Sequence, residues 1–353
     1  MERLVIFGKG GIGKSTLATG LSASMAAAGH RVLHVGCDPK HDSTVALLGG
    51  RMIEPVIDRI ERVAGVTREQ IVTTSHLGVD CVEAGGPGAG VGCGGRGITR
   101  MLEIFREAAL LDEGRYDVTL YDVLGDVVCG GFAAPLRRGV GEKVIIVASE
   151  ELMALYAANN IAKAVVHYQA NGIALAGIVF NIKDNDADRE PLERFAALIN
   201  ARILGYVPRD PLVREAEYRR MTVVEYAPAS AIARRLGALA SHALALDVRD
   251  QPSPTPLSEQ DFYELARRRF VRGRGDEPPP VAADEDAEVV APTRLVATHK
   301  RTRQQQQAPF DDELRAGTRA VRLGLVSASE AVRRLQARYP TQAAALRPEE
   351  LLG

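Results

Sequence analysis

The chain has 353 residues, of which 46% are apolar and 25% charged, and its formal net charge is -1. These values exclude a wholly disordered, collagen-like or membrane-spanning chain. The balanced charge gives no bulk electrostatic reason to expect nucleic acid or an anionic membrane as a partner. With no secretory signal before the first predicted strand and only four Cys, we expect a cytoplasmic protein without a disulfide framework.

Seven short apolar runs rich in β-branched residues predict strands that are buried on both faces. They are Leu4–Phe7, Val32–Cys37, Val79–Val82, Val118–Asp122, Lys143–Ala148, Leu175–Asn181 and Ile203–Val207. Helices are predicted at Ser15–Ala28, Thr99–Ala108, Met153–Gln169, Glu190–Ala201 and Ala231–Leu246. Gly29 and Gly172 are predicted helix stops, and Ser230 is a predicted N-cap. The alternation predicts an α/β fold with a mostly parallel sheet and helices on both faces.

The composition changes near residue 250, and we place the end of the predicted core domain there. We expect residues 1–250 to form the core domain and residues 251–270 to wrap around it. Proline, acidic and glutamine runs predict a disordered linker at 271–309. Helical periodicity returns in 310–353, which predicts a short helical C-terminal extension.

A phosphate-binding motif follows the first predicted strand. Gly8–Ser15 fits G-x-x-x-x-G-K-[ST] and opens a helix, which is the context that this motif requires. Its glycines let backbone N–H groups converge on phosphate oxygens, and the helix N-terminus adds positive potential. Lys14 is expected to pair with β- and γ-phosphate oxygens, and Ser15 to hold Mg²⁺. The motif predicts a P-loop NTPase-type protein whose MgATP contacts include Gly8, Lys9, Gly10, Gly11, Ile12, Gly13, Lys14, Ser15 and Thr16.

Lys9 is an additional lysine inside the P-loop, with a glycine on each side. The pattern resembles the deviant P-loop of dimeric ATPases, in which the early lysine reaches the partner subunit's nucleotide. This resemblance implies an ATP-dependent homodimer with a catalytic role for Lys9. A solvated loop lysine is the alternative.

Four aspartates follow predicted strands, where ligands of open α/β sheets bind. Asp38 and Asp42 come after the second strand and are candidates for activating water and sensing the γ-phosphate. Asp122 ends the fourth strand and is the Walker-B-like candidate, able to hold Mg²⁺ through water. Asp126 is placed to transmit the nucleotide state along the chain. Any one of them would equally suit a cap or a turn, but four near one P-loop favour a catalytic set.

The four cysteines fall into two groups. Cys37 and Cys81 lie in apolar strands and are predicted to be small buried hydrophobes. Cys93 and Cys129 lie in glycine-rich segments, and neither has a C-x-x-C partner, so one chain does not complete a four-cysteine site locally. Two chains supply four thiolates, which favours a [4Fe–4S] cluster on a twofold axis. A zinc site shared by two chains and an intrachain disulfide are the alternatives.

Residues 1 to about 270 resemble the nitrogenase iron protein and its nitrogenase-like relatives. The matching stretches are GKGGIGKST from Gly8, VGCDPKHDST from Val35, GVGCGGRGI from Gly90, YDVLGDVVCGGFA from Tyr121, MALYAANNI from Met153, VPRD from Val207 and AEYRRMTVVEY from Ala216. Partition ATPases and cluster carriers share only the first stretch. Together the seven are specific for this family.

The resemblance implies a homodimer bridged by one [4Fe–4S] cluster that Cys93 and Cys129 of each chain hold. It implies ATP-gated delivery of single electrons to a separate catalytic metalloprotein, with ferredoxin or flavodoxin as the electron source. Arg96 and Arg137 match residues of the docking surface. The nucleotide contacts expected beyond the P-loop are Lys40, Asn181, Pro208, Asp210 and Glu217.

The departures from the family pattern lie on the side expected to face the partner. The loop before Cys93 lacks the usual acidic residue, Val140 replaces a docking lysine, and residues 271–353 are foreign to the pattern. They favour a nitrogenase-like reductase over the iron protein of a true nitrogenase. Among the nitrogenase-like reductases, the close matches in YDVLGDVVCGGFA and MALYAANNI favour the methylthio-alkane reductase type over the tetrapyrrole-reducing types. A partition-type ATPase switch is the remaining class, to which the mildly basic Leu314–Arg338 would be suited.

Overall fold

The apolar runs pair into one eight-stranded sheet in the order β3-β4-β2-β5-β1-β6-β7-β8. Neighbouring strands are parallel throughout, except for the antiparallel pair β3 and β4. The mostly parallel sheet and the seven predicted strands are confirmed, while the two-residue β3 was not predicted. The strands are β1 (Glu2–Gly8), β2 (Val32–Cys37), β3 (Thr73–Thr74), β4 (Asp80–Glu83), β5 (Val118–Val123), β6 (Lys143–Ala148), β7 (Ala174–Asn181) and β8 (Ile203–Val207).

This computed structural model describes residues 1–60, 62, 66–86, 94–112, 114–125, 133–247, 250–270, 314, 327–339, 343 and 346–351. The chain divides into two compact units, Met1–Asp276 and Glu277–Gly353. The predicted linker at 271–309 lies outside the described residues. The division into a core domain, a wrap, a linker and an extension therefore stays a prediction.

Helices connect the strands of the first unit, and each predicted helix is present. They are α1 (Lys14–Ala27), α2 (Val56–Ile60), α3 (Arg68–Ile71), α4 (Gly94–Glu107), α5 (Leu152–Tyr168), α6 (Glu190–Leu198), α7 (Pro211–Tyr218), α8 (Val223–Tyr226), α9 (Ala231–Ala245) and α10 (Glu259–Phe270). The predicted N-cap is confirmed, because the Ser230 side chain accepts a hydrogen bond from the Ala233 amide. Helix α4 begins before its predicted start at Thr99, since its glycine-rich first turn carries no apolar periodicity.

Side chains alternate between the two faces of the sheet and build a core on each. On one face, Leu4 and Ile6 of β1 pack with Leu17 of α1 and Leu236 of α9. On the other face, Val5 and Phe7 belong to a core with side chains of α4, α5, α6 and α10. Because both faces are covered, the strands are apolar throughout, which is why they lack polar alternation in the sequence.

Residues 251–270 run across α5 and α6. Asn159, fully buried on α5, donates its side-chain amide to the Leu257 carbonyl at 2.9 Å and accepts from the Leu257 amide at 2.8 Å. Phe262 of α10 is 1% exposed and meets the rings of Tyr156 and Phe195 edge-on, at centroid distances of 5.3 and 6.4 Å. These contacts pair the Leu257 backbone groups and extend the core of this face.

In the second unit, the described residues include α11 (Ala328–Arg338), capped by Ser327, whose side chain accepts from the Glu330 amide. Leu335 and Ala343 are buried together, with Leu314, Tyr339 and Leu346 packed against them. Val332 is buried with Ala331, against which Leu314 and Leu346 also pack. The helical periodicity predicted within residues 310–353 therefore places apolar side chains in small buried clusters. In the described part of the chain, no helix combines the length and apolarity needed to cross a membrane.

Phe262→Ala is expected to lower the free energy of unfolding by about 3–5 kcal/mol, because it empties a buried aromatic site. The neighbouring Tyr263 is 49% exposed, so Tyr263→Ala should cost less than about 1 kcal/mol. Urea unfolding of the two variants measures the difference. Equal costs would show that residues 251–270 do not belong to the core.

Candidate nucleotide-binding site

The P-loop lies between β1 and α1, at the carboxyl edge of the sheet. Gly11 and Gly13 have left-handed backbones, with φ of +75° and +86°, which only glycine adopts without strain. A Cβ on Gly8 would collide with the Val147 carbonyl of β6, whereas nothing lies within 4 Å of one built on Gly10 or Gly11. The loop is therefore packed at its base and open at its tip, which leaves space for phosphate above converging N–H groups.

Asp122 is the centre of the polar site. Its Oδ1 accepts from Lys14 Nζ at 2.8 Å and its Oδ2 accepts from Ser43 Oγ at 2.6 Å. The side chains of Lys14 and Asp122 are 9% and 2% exposed. Burial opposes ionisation, yet the Lys14 charge and hydrogen bonds from Lys14, Ser15 and Ser43 hold the pKa of the Asp122 carboxyl below its usual value. The carboxylate is thus kept charged beside the P-loop, as a magnesium-site residue must be.

The segment after β2 carries the other predicted acidic residues. Asp38 Oδ1 accepts from the Lys40 amide at 2.9 Å, so in this structure it closes a turn. Asp42 is exposed and lines a cavity of about 240 Å³ together with Ser15 and Thr16. Lys40 is exposed and Lys9 is partly exposed. The structure therefore places Asp42 beside Ser15, the residue predicted to hold Mg²⁺, while the Asp38 side chain binds a backbone amide.

A second cavity, of about 470 Å³, opens on the other side of the α1 N-terminus. Asn181 Nδ2 donates to the Ile12 carbonyl at 2.7 Å, and Thr16 Oγ1 donates to Glu217 Oε1 at 3.1 Å. Asp210 also caps α7 by accepting from the Leu212 amide. Five nucleotide contacts were expected beyond the P-loop. Four of them line this cavity, namely Asn181, Pro208, Asp210 and Glu217, and Lys40 does not. The volume is in the range of small-molecule pockets, about 300–1,000 Å³, and fits a nucleotide whose phosphates reach the P-loop.

Glu83, at the end of β4, is a site residue that the sequence analysis did not identify. It is fully buried, and its Oε1 accepts from the Thr44 amide and hydroxyl at 2.7 and 2.8 Å. Burial raises the pKa of Glu83 to about 8, against the effect of the Thr44 hydrogen bonds, and the charges of Asp122 and Asp42 raise it further. Glu83 therefore anchors the segment that carries Asp42 as a neutral acid. The only signal for this residue in the sequence is a glutamate directly after the predicted strand Val79–Val82.

The predicted cluster ligands Cys93 and Cys129 lie outside the described residues, as do Asp126 and the side chain of Arg96. Thiolates are the ligands that [4Fe–4S] clusters take, so the donor set fits the cofactor. The segments that carry the two cysteines leave from the ends of β4 and β5, which flank β2. Within the described ranges, no group of three or more His, Cys, Asp or Glu side chains is placed to hold a metal ion.

The other residues that the sequence analysis singled out are either buried in the core or exposed at the surface. Cys37 and Cys81 are buried free thiols, and burial raises the pKa of both. Arg137 is exposed after the short 3₁₀ turn Ala134–Leu136. Val140, expected at the docking surface, is 2% exposed and belongs to the core instead. That expectation for Val140 was wrong, because its side chain belongs to the buried core of one face of the sheet, and the exposed side chains nearby are those of Arg137 and Arg138.

A P-loop between the first strand and first helix, with a buried aspartate on the neighbouring strand β5, defines a P-loop nucleotide-binding protein with a mostly parallel sheet. The solved structure of the septum site-determining protein MinD from Pyrococcus horikoshii, complexed with Mg-ADP, shares this fold. The TM-score is 0.55 at 23% identity, covering 68% of this chain and 95% of that one.

The chain belongs to the 4Fe-4S iron sulfur cluster binding proteins of the NifH/frxC family, whose model matches residues 2–270. The nitrogenase iron protein of Methanospirillum hungatei is 41% identical over 272 residues, which is 76% of this chain and 95% of that protein. That of Methanococcus voltae is 43% identical over 268 residues, 75% of this chain and 95% of the relative. The family resemblance is confirmed, and the cofactors are a [4Fe–4S] cluster and MgATP.

Gly10→Ala is expected to fold with wild-type stability, within about 0.5 kcal/mol, but to bind MgATP at least about tenfold more weakly. The new methyl group touches no protein atom and instead fills the space above the P-loop. Calorimetric titration with MgATP measures the affinity. Gly237→Ala on α9, where a Cβ also meets nothing within 4 Å, is the control and should leave the affinity unchanged. Wild-type affinity in Gly10→Ala would refute the phosphate cradle.

Glu83→Gln is expected to flatten the pH dependence of stability. Between the ordinary value of 4.5 and about 8, the native state holds the Glu83 proton that the unfolded chain has released. The native state then binds more protons, so the Glu83 contribution to the free energy of unfolding falls as pH rises through this window. Glutamine keeps the acceptor oxygen for Thr44 and has no proton to lose.

Urea unfolding near pH 5 and pH 9 measures this slope. Glu103→Gln, on the exposed side of α4, is the matched control and should retain the wild-type slope. If Glu83→Gln also kept the wild-type slope, the buried acid would not be neutral in the native state.

Proposed function

We propose that this chain is the ATP-dependent reductase component of a nitrogenase-like system. Two copies share one [4Fe–4S] cluster through Cys93 and Cys129 of each chain, and MgATP at the P-loop controls the delivery of single electrons to a catalytic metalloprotein. The support is family membership together with 41–43% identity to two proteins named nitrogenase iron protein, over 95% of their lengths. When bound, the cluster supplies low-potential one-electron reduction.

The observation that carries the proposal is the position of Asp122. This carboxylate accepts from Lys14 in the P-loop, and β5, on which it lies, leads directly into the segment with Asp126 and Cys129. Gly125, with φ of +42°, lies beside the Gly10 backbone nitrogen of the P-loop. A change of partners at Asp122 therefore acts at the root of the segment that carries a cluster ligand.

Each residue of the nucleotide site has a definite task in this proposal. Lys14 exchanges Asp122 for β- and γ-phosphate oxygens, and Ser15 holds Mg²⁺. Asp42, exposed beside Ser15, orients the attacking water, and Asp38 with Lys40 senses the γ-phosphate from the turn that they close. Lys9, which is partly exposed at the loop tip, reaches the partner subunit's nucleotide.

Among nitrogenase-like systems we assign the methylthio-alkane reductase type. The sequence before Cys93 and the 271–353 extension, which the family model does not cover, support a nitrogenase-like system over a true nitrogenase. The stretches YDVLGDVVCGGFA and MALYAANNI support the methylthio-alkane type over the tetrapyrrole-reducing types. Val140 does not support it, because the residue is buried. The iron protein of a true nitrogenase is the second candidate, and the names of the relatives favour it. A partition-type switch has less support, since Arg333 and Arg334 of α11 are both paired with Glu330.

Protein purified without oxygen should contain about four irons per two chains and give a reduced EPR signal that changes when MgATP is added. Cys129→Ser should lose the iron and still bind MgATP, because the variant removes a thiolate ligand and leaves the residues that line the two nucleotide cavities unchanged. Cys81→Ala, at a buried thiol in β4, is the control and should keep the iron. A wild-type dimer without iron that hydrolyses ATP would overturn the proposal in favour of the partition-type switch.

The catalytic partner then decides between the two candidate systems. The partner is isolated on immobilised, iron-loaded protein and supplied with reduced ferredoxin or flavodoxin and MgATP. Release of methanethiol from a methylthio-alkane supports the first candidate. Formation of ammonia from dinitrogen supports the second.

A further inference from the structure

A buried chain of hydrogen bonds connects α1 to the nucleotide site, and the proposed function makes no use of its Ser22, His34 and Ser43 members. Ser22 Oγ lies 2.9 Å from His34 Nδ1, and His34 Nε2 lies 2.9 Å from Ser43 Oγ. Ser43 in turn donates to Asp122 Oδ2, whose other oxygen accepts from Lys14. Ser22 and His34 are fully buried, and Ser43 is 2% exposed. Five polar groups from four separate chain segments are thus joined without water.

The chain of bonds has one consistent direction. The Ser43 hydroxyl has a single proton, which it gives to Asp122, so its oxygen must accept from His34. Nε2 of His34 therefore carries the hydrogen, and Nδ1 accepts from the Ser22 hydroxyl. Burial lowers the pKa of His34 to about 4, with the charge of Lys14 adding to this and that of Asp122 opposing it. The ring is thus neutral and held in a single tautomer.

The fold alone does not call for a histidine at this position. His34 lies in the middle of β2, between the apolar residues Leu33 and Val35, on the face covered by α1. Removing a polar ring from water is costly, and an apolar side chain of similar volume would fill the same site. The role of the histidine is therefore to be sought where its hydrogen bonds end, at Ser43 and Asp122.

Asp122 needs one oxygen fixed when nucleotide binds. The P-loop lysine is required at the phosphates, so Lys14 would leave Oδ1 for them, and Asp122 would be free to hold Mg²⁺ through water. Ser43 still occupies Oδ2, but it belongs to the segment of the exposed Asp42 and is a short side chain with a freely rotating hydroxyl. The His34 Nε2–H bond removes that freedom and keeps the Ser43 proton on Asp122.

We propose that His34 is a positioning residue for the magnesium site, fixing the Ser43 hydroxyl on Asp122 so that the carboxylate presents one defined oxygen to the P-loop. The role depends on MgATP binding by this family and is independent of the electron acceptor. It predicts that loss of the histidine weakens the use of Mg²⁺ while nucleotide binding without metal is unchanged.

The test is the Mg²⁺ dependence of ADP binding, measured by calorimetry on the iron-loaded protein without a catalytic partner. His34→Leu should raise the half-saturating Mg²⁺ concentration about tenfold. The variant removes the His34–Ser43 hydrogen bond and so weakens the bond from Ser43 to the charged Asp122 carboxylate. His34→Gln should restore most of the loss, because its amide N–H can donate to Ser43. Ser22→Ala should fall between the two. Ser24→Ala is the control. Ser24 lies on the same helix as Ser22, its buried hydroxyl has no hydrogen-bond partner, and the variant should match wild type.

A second readout is the tautomer of the ring. Protein labelled with ¹⁵N-histidine, with its cluster in the diamagnetic oxidised state, should show His34 protonated at Nε2 only. The opposite tautomer, or unchanged Mg²⁺ dependence in His34→Leu, would overturn the proposal. So would an equal loss of metal-free ADP binding, which a merely structural role produces. If His34→Leu fails to fold, His34→Gln and Ser22→Ala provide the comparison with Ser24→Ala. Failure of electron transfer leaves all these measurements interpretable.

Discussion

The buried ion pair between Lys14 and Asp122 is the constraint around which the nucleotide site is arranged. Two charges removed from water are tolerated only when each has close partners, and removal of one partner leaves the other strongly destabilised. The sheet supplies the needed proximity, because β1 and β5 are hydrogen-bonded neighbours with Ile6 opposite Asp122. In the proposed function, Lys14 would leave Asp122 for phosphate oxygens, and Mg²⁺ would supply the charge that the lysine had given to the carboxylate. The ion pair thus stabilises the site without nucleotide, and the partners of Lys14 and Asp122 differ once nucleotide is bound.

The strand order places the nucleotide site next to the strands that precede the two predicted cluster cysteines. Strand β2, whose end leads to Asp38 and Asp42, lies between β4 and β5. The chain leaves β4 towards Cys93 and leaves β5 towards Cys129. Glu83 at the end of β4 holds Thr44, and Asp122 on β5 holds Ser43, so both flanking strands grip the same segment. The segment that carries Asp38 and Asp42 is therefore held by the same two strands that precede Cys93 and Cys129 in the chain.

The sequence predicts what local patterns encode and misses what only the sheet brings together. Buried parallel strands are continuous apolar runs, and the P-loop is a contiguous motif, so both were predicted with nearly the observed bounds. Strand β3 has two residues and therefore no periodicity to detect. The pairs Ser22 with His34 and His34 with Ser43 join segments that no spacing rule connects, and the neutral state of Glu83 arises from burial alone. Val140 was misplaced because a family position was transferred without knowing which side of its turn faces the core.

Partner choice is separable from the nucleotide chemistry in this fold. The groups that handle MgATP lie in and around the P-loop cavities and are held by buried contacts, so substitutions there alter switching itself. Arg137 and Arg138 are exposed and follow a 3₁₀ turn whose own residues are buried. Exposed charges on a rigid base change association rates and partner discrimination with little effect on stability. A chain of this family can thus acquire a different catalytic partner through such surfaces while its buried site stays as it is.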